Sequence, residues 1–184
     1  MINREEAFVL LKKYLRDQDN IKYSIAVEAI LRELAKKLDR NVELWGLTGL
    51  LYNLDYEYTS NEPEKRGTLS AQLLEDLLPD GCVNAIKANN YMHTDYIPTT
   101  SLDKSLIAVD AVTKLIIVTA RSMPSKKLAE VDLETLLDRF NDSSFAARNN
   151  RNKIQLCADI GMELKAFLEL CLNTLKQISD ELNL

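Results

Sequence analysis

Apolar positions recur along this chain at intervals of three and four residues over nearly its whole length, the period of a helix with one buried face. Glu5–Asp17 sets Phe8, Leu11 and Leu15 on one side. Asp19 or Asn20 can cap a second helix to about Leu38, with Ile21, Ile25, Leu31, Leu34 and Leu38 inward. Asn41 can cap a third, in which Leu44, Leu47, Leu50 and Leu51 recur. The polar stretch Thr59–Lys65 predicts a loop, and Pro63 suits the first turn of a helix that ends near Leu78, before Pro79. Asp80 begins a helix to about Asn90, and His93–Ser101, with Pro98, predicts another loop. Asp103 is placed to cap a long apolar helix, Lys104–Arg121. Met123–Lys127 reads as a turn around Pro124, Asp132–Phe140 as a short helix and Asn141–Asn150 as mostly loop. Arg151–Ile160 and Glu163–Leu182 complete the chain as helices, broken at Gly161.

No segment alternates firmly with a two-residue period, and there is no internal repeat, low-complexity tract or linker. The expectation is one all-α domain over residues 1–184, a bundle of about eight to ten helices. A length of 184 residues fits one domain and buries a core without disulfides or a structural metal. Only five Gly and four Pro leave little room for the many tight turns of a β-sandwich or barrel.

Charge narrows the partners. Against 23 Lys and Arg stand 28 Asp and Glu, a net of −5, which argues against nucleic acid while leaving a local basic patch open. Cys82, Cys157 and Cys171 match neither a metal spacing nor a disulfide framework. A reducing, cytoplasmic setting is the simplest reading. The opening MINREEAF has no apolar core of a signal peptide. Leu106–Ala120, the longest apolar stretch, contains Asp110 and Lys114 and is too short to span a bilayer, so no membrane partner is expected.

The strongest chemical flag is Asp110, in SLIAVDAVTKLIIV, with apolar neighbours on almost every side. A buried carboxylate must meet a cation, a metal or several donors. It is either a core Asp that ties helices together or part of a site. In GLLYNLDYEY, Tyr52, Asn53 and Asp55 stand at the end of a helix, where packing and turning suffice to explain them. His93, the single histidine, has no triad partner at a telling spacing, and no phosphate-cradling glycine motif occurs. Arg121, Lys126 and Lys127 flank Pro124 and could bind an anion or simply be solvated.

The stretches REEAFVLLKKYL, IKYSIAVEAILRELAKKL, WGLTGLLYNLDYE, EPEKRGTLSAQLL, AIKANNYMHTDYIPTTSLDKSLIAVDAVTKLI, MPSKKLAEVDLETLLDRF and SFAARNNRNKI, in this order, resemble the HD-domain superfamily of metal-dependent phosphohydrolases in its small stand-alone form. The resemblance runs from about Glu5 to Ile178 and implies a helical bundle of the HD type. It further implies one or two divalent metals held by His, a His-Asp pair and a closing Asp, and hydrolysis of phosphate esters or nucleotides by a metal-bound water. Carried onto this chain, the first histidine falls at Tyr23 and the His-Asp pair at Tyr52 and Asn53. Further histidines fall at Arg66 and Asn89, and the closing aspartate at Asp110, which is kept. Metal catalysis needs several converging ligands, and a fixed guanidinium at Arg66 opposes a bound cation.

Two readings follow. In the first, metal binding and catalysis are lost, no cofactor is expected, and Tyr23, Tyr52, Asn53, Arg66, Asn89 and Asp110 line a vestigial pocket. That pocket is either plugged by its own hydrogen bonds, the more economical version, or binds a phosphorylated small molecule or nucleotide, with Arg66 as phosphate donor and tyrosine rings free to stack on a base. In the second, the chain remains a phosphohydrolase that takes Mn, Mg, Fe, Ni or Zn through a rearranged site of Asp110, Asp55, Glu57 or His93. A metal-free enzyme with His93 as general base has nothing specific behind it. Apolar positions on the first and last helices would permit a homodimer.

Overall fold

In the computed structural model, which describes residues 1–184, the longest element is α7 (Ser101–Ser122), and the bundle is arranged around it. Every residue from Leu106 to Val112 is buried, so this helix is covered on nearly all sides. It begins with a reciprocal cap: Thr100 Oγ1 accepts from the Asp103 amide at 3.1 Å, while Asp103 Oδ2 accepts from the Thr99 and Thr100 amides at 2.9 Å. Thr100 is therefore the cap, and Asp103 its partner three residues on, a correction to the expected role of Asp103.

Against α7 pack α2 (Gln18–Lys37), α5 (Asp80–Asn89), α8 (Leu133–Asn141), α9 (Arg151–Gln155) and α10 (Leu164–Gln177). The other helices are α1 (Arg4–Tyr14), α3 (Val42–Leu51), α4 (Thr68–Leu74), α6 (Tyr91–Thr94) and α11 (Ser179–Leu182), with three short 3-10 turns and no strand. The buried apolar side chains form one connected core, as an all-α single bundle requires. No helix is long and apolar enough to cross a membrane. All three cysteines are buried free thiols that pack as small apolar groups.

Several boundaries differ from the sequence expectation, each for a local reason. Asp17, not Asp19 or Asn20, caps α2, because the Glu57 carboxylate accepts from the Arg16 and Asp17 amides and turns the chain there. Pro63 opens a separate 3-10 turn, Pro63–Lys65, and the helix expected to reach Leu78 ends at Leu74. Tyr91–Thr94 is a short helix rather than the start of a loop, fastened by the Thr94 hydroxyl to the Lys87 carbonyl at 2.7 Å. The helix expected over Arg151–Ile160 stops at Gln155 and ends in a 3-10 turn before Gly161, whose φ is 82°.

Two tight approaches fix the α1–α2–α3 layer. Glu28, 2% exposed, accepts from Arg4 at 2.7 and 3.0 Å and from Arg32 at 2.9 Å, and Arg32 continues to Glu43 at 2.8 and 3.0 Å. Beside this network α3 lies against α2 at Gly49, where a Cβ would come within 2.8 Å of Leu31 Cδ1 and 3.1 Å of the Glu28 backbone. Gly49→Ala is expected to lower stability by about 1–3 kcal/mol, the range for overpacking a filled core. Gly81, where an added methyl would meet nothing within 4 Å, is the control: Gly81→Ala should be neutral or stabilising. Urea unfolding of the two variants checks this, and equal midpoints would contradict the close α2–α3 contact.

Candidate functional site: a buried carboxylate beside a cation-rich cavity

Asp110 lies midway along α7 and is 7% exposed. Its Oδ1 accepts from the Tyr52 hydroxyl at 2.6 Å and the Tyr23 hydroxyl at 2.8 Å. The Tyr23 hydroxyl also lies 2.5 Å from the Asp110 carbonyl oxygen. One turn along α7, the exposed Lys114 donates to Oδ2 at 3.2 Å. Burial is the largest influence on this carboxyl and pushes its pKa up. Lys114, the two tyrosine hydroxyls and the charge of Lys153 outweigh it and hold the group below the ordinary aspartate value. The tyrosines move the other way: burial first, then the Asp110 charge, pushes both well above the usual phenol value. The cluster is thus an anion with two neutral phenols committed to it.

The tyrosines reach Asp110 from two helices, Tyr23 from the second turn of α2 and Tyr52 from the C-terminal cap of α3. The next residue, Asn53, is 6% exposed, and its side chain lines the same cavity without a hydrogen bond. Asn89, the last residue of α5, also lines it, and its Oδ1 is buried without a partner.

Arg66 is held in place by its neighbours rather than by its own charge. The following Gly67 has φ 84°, and a Cβ there would lie 3.0 Å from the Ile86 carbonyl oxygen, so the turn requires glycine. Asp55 Oδ2 accepts from the Gly67 amide at 2.8 Å and the Ser70 amide at 3.0 Å. Asn90 Nδ2 reaches the carbonyls of Pro63 at 3.1 Å, Glu64 at 3.4 Å and Arg66 at 3.0 Å. The guanidinium then stacks 4.3 Å from the centre of the Tyr56 ring, and its sole hydrogen bond is a long one from Nε to Thr59 Oγ1 at 3.5 Å. Both terminal nitrogens are free to donate.

Tyr23, Tyr52, Asn53, Arg66, Asn89 and Asp110 all line one cavity of about 330 Å³. Its cations are Arg66, Lys114, Arg121 and Lys153, against two carboxylates, Asp19 and Asp110. Arg121 pairs with Asp19 at 2.9 Å at the rim. Lys126 and Lys127, its sequence companions, do not line the cavity. Lys153, from α9, forms no ion pair and lies 5.7 Å from the Tyr91 ring centre. Burial lowers its pKa, and the Asp110 charge opposes that shift. Lys114 had a sequence signal, one helical turn after Asp110 in an apolar helix, whereas Lys153 had none.

Three sequence candidates lie elsewhere. Asp55 is fully buried, but its carboxylate serves the amides that start α4 rather than the cavity. Glu57 fastens the start of α2 through Arg16, Asp17 and Asn20. His93 is exposed on α6 and does not line the cavity. The rearranged ligand set of Asp110, Asp55, Glu57 and His93 is therefore not brought together. The residues present do not fit a divalent cation: the central carboxylate already takes three donors, Asp19 is paired to Arg121, and Arg66 and Lys153 repel a cation.

Fold and site together define an all-α protein with a polar, cation-rich cavity at the middle of its central helix. No protein-family model, curated protein or solved structure matches the chain.

The lowered Asp110 pKa has a definite sign. Its contribution is present above the unfolded aspartate value, about 3.9, and is lost as pH falls through the lower folded value. Asp110→Asn should cost about 2–3 kcal/mol at neutral pH, the scale of hydrogen bonds to a charged group. The gap to wild type should narrow below about pH 4. Urea unfolding at several pH values checks this, and a gap independent of pH would show that the carboxylate charge is not what the two tyrosines stabilise.

Proposed function

We propose that this chain is a metal-free relative of the HD-domain phosphohydrolases, and that its cavity binds a phosphorylated small molecule without hydrolysing it through a metal. The observation that carries this reading is Arg66. Its guanidinium is fixed at the cavity wall with both terminal nitrogens unused, at a position where the resemblance puts a metal-binding histidine. A guanidinium so placed presents a fork matched to phosphate oxygens. Lys153 adds a second cation with no acid of its own.

The plugged alternative is less well supported. A cavity of about 330 Å³ falls in the size range of small-ligand sites. A pocket closed on itself would have its polar groups paired, whereas the Asn89 side-chain oxygen is buried without a partner. The hydrolase alternative, a divalent metal acting on nucleotides or phosphate esters, lacks its ligands, since Asp55, Glu57 and His93 do not join Asp110 at the cavity. Three buried thiols suit a reducing, cytoplasmic setting.

Titration of the full chain with orthophosphate, followed by amide chemical shifts, tests the reading. Shifts should saturate around Gly67, Asn53 and Lys153, weaken at least about tenfold in Arg66→Gln, and weaken further with salt. Absence of saturable shifts, or binding indifferent to Arg66→Gln, would overturn it.

A further inference from the structure

The free groups of the cavity are of two kinds, and one anion cannot satisfy both. Arg66 and Lys153 ask for negative charge. Asn53 and Asn89 both line the cavity with side-chain amides that make no hydrogen bond, and of these the Asn89 Oδ1 is a buried orphan. An amide oxygen accepts hydrogen bonds only, and a deprotonated phosphate has none to give. A buried acceptor left unpaired is costly, and two asparagine amides without partners in one cavity lining point to a ligand that brings hydroxyl or amine donors next to its charge.

The tyrosines narrow the class. A nucleobase would need an open aromatic face, yet the rings at the cavity already carry cations. Arg66 lies 4.3 Å over Tyr56 and Lys114 5.8 Å over Tyr23. Tyr52 is 3% exposed and committed to Asp110. The polar lining, by contrast, suits a saturated, hydroxylated skeleton.

We infer that the occupant is a polyol or sugar monophosphate, with its phosphate on Arg66 and Lys153 and its hydroxyls on Asn53 and Asn89, rather than a nucleotide. This rests on the phosphate-binding reading above and adds the class of molecule attached to the phosphate.

Calorimetric titration of the full chain with orthophosphate, glycerol 3-phosphate, ribose 5-phosphate, glucose 6-phosphate and adenosine monophosphate separates the two levels. At least one of the three hydroxylated phosphates should bind about tenfold or more tighter than orthophosphate, as one or two added hydrogen bonds to buried groups provide. That advantage should shrink below about twofold in Asn53→Leu. The less buried Asn89→Ala should reduce it in the same direction, which keeps the test open if Asn53→Leu does not fold. Adenosine monophosphate should bind no tighter than ribose 5-phosphate. The inference is overturned if orthophosphate binds as well as all three, if the advantage survives in both asparagine variants, or if the base adds affinity. Failure of every phosphate to bind would instead remove the phosphate-binding reading itself.

Discussion

One buried charge governs the site. Asp110 sits in the middle of a helix covered on nearly every side, where an unpartnered carboxylate would cost several kilocalories per mole. The fold answers with two phenol hydroxyls from α2 and α3 and an ammonium from α7 itself. Because the three helices must meet for the charge to be stabilised, Asp110 fixes their mutual register at the cavity as well as its local polarity. Three donors already reach the carboxylate, two on Oδ1 and one on Oδ2, and burial together with the Asp110 charge keeps Tyr23 and Tyr52 neutral.

Around that carboxylate the cavity lining carries more cations than anions. Four cations face two carboxylates in its lining, although the chain as a whole carries −5. A local excess of cations in a concave site focuses potential and favours anions more than the net charge suggests. Positioning is indirect throughout. Asp55, Gly67 and Asn90 hold the turn that presents Arg66, and none of them supplies the charge. Arg151, two residues before Lys153, donates to the carbonyls of Arg139, Phe140, Asp142, Phe145, Ala146 and Asn149 and so ties the end of α8 and the following loop to the start of α9.

Much of the fold was legible in the sequence because its signals are local. The 3.6-residue period marks the long helices, and Asn41 and Asp132 cap where a short polar side chain preceding an apolar run says they should. Errors arose where a distant residue decides. Glu57 moves the start of α2 to Asp17 from some forty positions away, and Thr100 shares its cap with Asp103 in a pair that sequence alone reads either way. Of the site, Asp110 announced itself as a charge in an apolar run. The tyrosines, asparagines and Arg66 carried no such signal individually and were picked out by the HD-like resemblance, and they do share one cavity. Lys153 carried no signal, since its place at the cavity follows from the packing of α9 against α7. Asp55 and His93 were near in sequence but are turned elsewhere by hydrogen bonding and exposure.

The central proposal is that the cavity around Asp110 takes an anion and no divalent metal. Titration of Mn²⁺ with the purified full chain, read by the paramagnetic resonance signal of the free ion, tests it most directly. The free-ion signal should rise in step with added Mn²⁺ from the first addition, with no equivalent withheld. Loss of one equivalent of signal, restored in Asp110→Ala, would contradict the claim.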